Sequence, residues 1–339
     1  MGCCEGQDDS QGVNQPSNKG EVGMPMSSQE GEEKMTKMDK VATWAMVGKG
    51  ANATKIEDAL KSVGLDFQVE KRKIFFGPDM KCIKDKFATV RTDNETDMGI
   101  VGKGYEICQN DKAFAFADYI DSKLKFTRGG ITYTGLCWVM GEMPAVNILG
   151  EEYVPCLCLQ NSFNGKYTVK ANIVPLCKAT GSQVAMDVSG LTNTIKIRHS
   201  ANLPSRMSQG QEALASITEY MNGLRKMAEK YANVKMDKGQ IEMFIDLLFP
   251  IRPNMSEQVK SKVIDQRKMF VACYDDEGNK RNYGNAWGLI KAYADFNTHV
   301  IGKNTKTKYE NKFMTTTLGK NTFGSFLKKL ETVTGKKIG

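Results

Sequence analysis

Apolar residues recur along this chain with two periods, and the switch between them divides it. Residues 1–36 carry Gly, Ser, Gln, Glu and Asp with almost no large apolar side chain. Such a segment cannot bury enough surface to offset the entropy of ordering, so a disordered polar leader is expected there. Beyond it, Ile56, Ala59, Leu60 and Val63 fall at helical spacing. Thr54 is the expected N-cap, with Glu57 completing a capping box and Gly64 ending the helix. Residues 65–69 then alternate as a half-buried strand does, and Ile74-Phe75-Phe76 continues it up to Gly77-Pro78. Residues 87–91 and 98–101 predict two more strands around a turn at 93–96. Ala113, Phe114, Ala117, Ile120 and Leu124 share one helical face and predict a helix over 110–126, with Gly129-Gly130 as a break. Strands are predicted over 131–140, 153–160, 167–176 and 194–199, and Asn164-Gly165 marks a hairpin loop between the middle pair.

After about residue 207 the period lengthens. Leu214, Ile217, Tyr220, Met221, Leu224, Met227 and Ala228 form one stripe of a helix over 211–231. Helices are also predicted over 238–248, 256–273, 287–301 and 323–333. Strands followed by helices indicate an α+β fold: a central, mainly antiparallel sheet with packed helices, then a helical C-terminal region. The expected organisation is a leader at 1–36, a sheet core at 37–207 and a basic helical region at 208–339 packed on that core.

Charge changes the picture at both ends. The net charge is +8 over 339 residues. Residues 1–40 hold eight acidic and four basic side chains, whereas residues 281–339 hold eleven Lys/Arg against Asp295, Glu310 and Glu331. A basic field of this kind attracts polyanions. No apolar run is long enough for a membrane span. Met1-Gly2-Cys3-Cys4 invites a lipidation reading, but position six is Gly6 rather than Ser or Thr. Nine cysteines, an odd number in a long chain without a signal peptide, point to reduced thiols in a cytosolic compartment.

Most catalytic devices fail on residue supply or spacing. No Gly-rich loop ends in Gly-Lys-Ser/Thr, and no dinucleotide fingerprint is present. Only His199 and His299 exist, so a two-histidine zinc helix is impossible. Cys137, Cys156, Cys158 and Cys177 lack the knuckle spacing of a four-thiolate site and read as strand packing. Pro78-Asp79 with Asp121-Ser122-Lys123 imitates a nuclease pattern, but Asp121 falls at the end of a predicted helix. No catalytic residue, metal ligand or cofactor is therefore assigned. The residues assigned to nucleic-acid contact are basic. Lys196 and Arg198 lie on one face of the 194–199 strand, and Lys71, Arg72, Lys73, Arg91 and Lys170 extend that surface if the strands are neighbours. Lys303, Lys306 and Lys308 follow the helix that begins at Gly284-Asn285-Ala286-Trp287. Trp287 reads as core packing, with base stacking as its alternative.

Several separated features agree with one known family. They are Trp44-x-x-x-Gly48 with the 59–69 segment, the turn Tyr105-Glu106-Ile107-Cys108-Gln109-Asn110, the strand Ile197-Arg198-His199-Ser200, and the Gly284 to Phe296 helix. Leu318-Gly319-Lys320 adds a weaker fifth. As a set, over roughly 40–335, they resemble the phage- and plasmid-borne family known as domain of unknown function 932. Ile173 to Thr180 departs from that family's pattern, keeping Cys177 but lacking its arginine and Asn-Thr pair. The resemblance implies a mobile-element setting in a bacterial cytoplasm. The outline is similar to phage single-strand annealing proteins, a likeness of architecture alone. The expected function is nucleic-acid binding, with single-stranded DNA and other copies of the chain as partners, in recombination or replication. A protein-binding module in phage–host conflict is the alternative, and a hydrolase is the third class.

Overall fold

The alternating middle of the chain forms an eight-stranded antiparallel sheet. This computed structural model describes residues 43–188, 190–197, 203–299, 306–318 and 323–335. The leader expected at 1–36 lies outside them. The main sheet holds β1 (Lys49–Ala53), β5 (Lys125–Ile131), β6 (Leu136–Glu142), β7 (Val146–Ile148), β8 (Glu151–Ser162), β9 (Lys170–Cys177), β10 (Ser182–Gln183) and β11 (Thr194–Lys196). Its order is β1-β5-β6-β8-β9-β10, with β7 on β8 and β11 on β9. A second sheet pairs β2 (Val69–Phe76), β3 (Lys81–Arg91) and β4 (Asp97–Gly102) in that order. The fold is α+β, as the two periods predict.

Both faces of the main sheet are covered. Successive strand residues point to opposite faces, so β6 sends Cys137 and Val139 one way and Trp138 and Met140 the other. The first face joins a core with α1 (Ile56–Val63), α2 (Asn110–Phe114), α3 (Leu203–Ala232) and α6 (Ala286–His299). The second packs Trp138, Cys156, Cys158 and Val174 under Phe313 of α7 (Lys306–Thr316). The Trp138 and Phe313 rings lie 4.4 Å apart. Aromatic side chains join the remaining helices. Phe244 of α4 (Lys238–Leu248) meets Phe270 of α5 (Glu257–Tyr274) at 6.4 Å and Phe326 of α8 (Phe323–Thr334) at 4.9 Å. Aromatic pairs of this kind each add about 0.5–1.5 kcal/mol beyond area burial.

Four local predictions need correction. The helix expected over 110–126 ends early. Only α2 is α-helical, a 3₁₀ turn spans Ala115–Tyr119, and Phe126 lies in β5. The Asp121 carboxylate accepts the Lys123 N–H at 2.7 Å, and this turn replaces further helix. The strand expected over 131–140 is two strands, because Thr132 N–H closes a turn on Leu136 O and Gly135 takes φ +77° there. Gly129-Gly130, read as a break, lies inside β5. There the chain runs close to β1 and Trp138: a Cβ on Gly129 would stand 2.8 Å from Trp138 O. The N-cap of α1 is Lys55, not Thr54, and no side chain of its own caps it. Asp118 does so from 62 positions away, accepting the Ile56 N–H at 2.8 Å. The apolar stripe of α1 and its left-handed Gly64 stop are as predicted.

Candidate nucleic-acid interface

The β2–β3 hairpin is an exposed basic element. β3 pairs β4 only from Lys86 to Val90, so residues 74–85 leave the small sheet as a two-stranded ribbon. Lys73 pairs Phe87 and Phe75 pairs Cys82, which sets four residues of β3, Ile83 to Lys86, opposite Ile74 alone. Such a bulge bends a ribbon and re-aims its end. Asp85 takes φ 58° within it, and Met80 takes φ 49° in the turn at the tip. The ribbon carries Lys71, Arg72, Lys73, Lys81, Lys84 and Lys86 against Asp79 and Asp85. Lys73, Lys84 and Lys86 are exposed and form no ion pair among the described residues. Phe75 and Phe76 are 47% and 56% exposed, beside Met80.

The other predicted contact residues are scattered. Arg72 is engaged by Glu95 and Glu70, whose carboxylates hold its guanidinium protonated even more firmly than usual. Arg91 makes a bidentate contact with Asp93 and stacks 3.9 Å from the Phe67 ring centroid. Lys71 is engaged at the surface, donating to Tyr105 O at 2.7 Å and Lys103 O at 3.1 Å. These three positions, with Lys73, belong to the small sheet. Lys170 and Lys196 belong to the main sheet, where they stand directly opposite each other in the β9–β11 register. Lys170 is partly buried, and desolvation lowers its pKa; its ammonium reaches Leu318 O at 3.4 Å. The two groups therefore do not form the continuous strand surface that the sequence suggested. Arg198 and Lys303 lie outside the described residues, and Lys306 and Lys308 begin α7.

Trp287 is fully buried, so it serves the core and cannot be a stacking platform. Asn285 caps its helix, accepting the Gly288 N–H at 3.0 Å. Gly288 is obligatory because any Cβ there would collide with the Asn282 carbonyl. The same helix buries charges that the periodicity did not expose. Lys291 donates to both Glu151 oxygens, at 2.6 and 2.7 Å, and to Gly278 O at 3.0 Å. One turn on, Asp295 Oδ1 and His299 Nδ1 lie 2.6 Å apart. A sequence signal existed for this cluster: Lys291 and Asp295 interrupt an otherwise apolar helix four residues apart.

The Tyr105–Asn110 turn is also an internal device. Gln109 mimics a strand partner, accepting from Val69 N–H at 3.0 Å and donating to Val69 O at 2.7 Å. Asn110 donates to Leu65 O at 3.0 Å and accepts from Asn161 at 3.0 Å. These amides tie β2, β8 and the 65–69 segment together. The cysteines pack in the sheet. Cys156 and Cys158 share one face, while Cys137 and Cys177 occupy the other. Among the described residues, no three His, Cys, Asp or Glu side chains are grouped to hold a metal, and no helix is long and apolar enough to cross a membrane.

The family described as "Domain of unknown function (DUF932)" matches residues 97–317. The match takes in the Tyr105–Asn110 turn and the Gly284–Phe296 helix, and it begins at β4, after the ribbon. No curated protein and no solved structure matches the chain.

Proposed function

The chain belongs to the DUF932 family, and from that premise we propose that it binds nucleic acid, single-stranded DNA in particular, through the phosphate backbone. The observation that carries this reading is the β2–β3 ribbon: exposed lysines on both strands with no acidic partner for Lys73, Lys84 or Lys86. Electrostatic contact of this kind is independent of base sequence and needs no catalytic residue. Lys170 and Lys196 support it. Like charges directly opposite across a ladder repel, and a bound anion relieves that repulsion. Within the proposal the protein acts in a phage or plasmid setting, in a bacterial cytoplasm, as an oligomer that aligns several ribbons along one strand.

The test is fluorescence anisotropy with labelled single-stranded and duplex oligonucleotides across a salt series. Log affinity should fall linearly with log salt, by about 0.7 for each phosphate neutralised on a single strand. Replacing Lys73, Lys84 and Lys86 together with Ala should weaken binding for every base sequence and flatten the slope by up to about 2. The thermal midpoint should stay in place, because all three side chains are exposed. Absence of binding by folded protein at about 50 mM salt, where such contacts are strong, would end the proposal.

A further inference from the structure

We infer that the tip of the β2–β3 ribbon is a base-stacking element, with Phe75 and Phe76 each offering a ring to an unpaired base. The inference rests on the nucleic-acid reading above and names the part of the ribbon that tells a single strand from a duplex. Phe75 and Phe76 are the exposed phenylalanines among the described residues. They are adjacent on one strand, so their rings leave opposite faces of the ribbon. Phe75 stands opposite Cys82 and Phe76 opposite Lys81, and Lys73 and Lys84 lie close by in sequence on the two strands. Each face of the tip therefore pairs an apolar ring with nearby positive charge.

The covering that usually hides such rings is missing. β4 stops pairing at Lys86, and every residue from Phe75 to Cys82 is exposed. Residues that pack elsewhere in the same hairpin show the contrast: Val69, Thr89 and Val90 are buried. The bulge at Ile83–Lys86, with Asp85 in the left-handed region, separates the tip from the part of the hairpin that pairs β4. An occupant must satisfy both the charge and the rings. Single-stranded nucleic acid does so, since its phosphates match the lysines and its unstacked bases present flat apolar faces. In a duplex those faces already stack on one another, so only the phosphates remain available. Stacking on aromatic side chains tolerates any base, as contact through the phosphate backbone does.

The test compares the full chain with the Phe75→Leu/Phe76→Leu variant, which keeps apolar bulk and loses the rings. The probes are a single-stranded oligonucleotide containing 2-aminopurine and its duplex, at one salt concentration, with circular dichroism to verify folding. The parent should bind the single strand more tightly and change the 2-aminopurine fluorescence. The variant should lose that fluorescence change and roughly 10-fold or more of its single-strand affinity, while duplex affinity stays the same. The Phe75→Tyr/Phe76→Tyr variant should restore both. A folded Leu variant with parental single-strand affinity and fluorescence would overturn the stacking inference and leave the backbone-binding proposal standing. A parent that binds neither oligonucleotide would overturn both. Equal binding of parent and Leu variant to phosphatidylserine vesicles, with no response from either oligonucleotide, would assign the tip to a lipid surface instead.

Discussion

Removing the charge of Lys291 should unfold this protein more readily than any surface substitution. The Lys291 side chain is fully buried, and Glu151 is 9% exposed. All three ammonium hydrogens are used, two on Glu151 and one on Gly278 O. Asn282 donates to Glu151 Oε1 at 3.2 Å and Tyr153 to Oε2 at 3.4 Å. Lys291→Met leaves that carboxylate buried with only two weak neutral donors, and it strips Gly278 O of its partner. Breaking a buried pair on one side costs about 3–5 kcal/mol. Glu151→Gln should cost a similar amount, since it leaves the ammonium uncompensated. The double variant removes both charges; the Gln amide oxygen still accepts from Asn282 while its NH2 donates to the Tyr153 hydroxyl oxygen, so mainly the Gly278 contact is lost, at about 1–3 kcal/mol. The double cost should thus fall well below the sum of the single costs, a coupling of several kcal/mol. Urea unfolding followed together by circular dichroism and tryptophan fluorescence measures it, because Trp287 lies one turn from Lys291. Lys61→Met, which breaks the exposed Lys61–Glu57 pair, is the control and should leave the midpoint unmoved. Additive single costs, or a Lys291→Met cost below about 1 kcal/mol, would refute the argument.

Two further outcomes follow from the ionisable groups. Lys312 has no partner among the described residues, and desolvation pushes its pKa down to about 8. The folded state then binds fewer protons than the unfolded state between about pH 8 and the ordinary lysine value, so this group's contribution to stability rises with pH. Lys312→Met should therefore stabilise the protein at pH 7, and the difference from the parent should vanish by about pH 10.5, as read from paired urea titrations. Burial pushes the Cys108 thiol up to about 11 and Cys137 up to about 12, and raises Cys156 and Cys158 as well. Peptide-resolved iodoacetamide labelling at pH 8 should modify exposed Cys82 quickly, Cys108 slowly, and the buried thiols only after unfolding. Rapid native labelling of Cys156 or Cys158 would contradict the packing described for that face.

Periodicity is a property of the backbone, and so the sequence by itself determined the α+β class, the apolar stripe of α1, the long helix α3 and the place of Trp287 in the core. Each follows from which side chains share a face, at 3.6 or 2 residues per repeat. The Gln109-Asn110 turn was legible as a signature, though its purpose depends on Val69, Leu65 and Asn161, which are remote in the chain. Partnership over distance is what only the tertiary structure decided. Lys291 finds Glu151 across 140 positions, and no local pattern predicts which opposite charge will offset the desolvation of a lysine buried in a shared core. The basic residues show the same limit: their side chains were readable, yet which were already paired, as Arg72 and Arg91 are, depended on neighbours brought in by the fold. Phe75 and Phe76 had the spacing of ordinary strand residues. They are exposed because β4 stops pairing at Lys86, and where a neighbouring strand ends is set by sheet pairing rather than by any pattern in β2 itself.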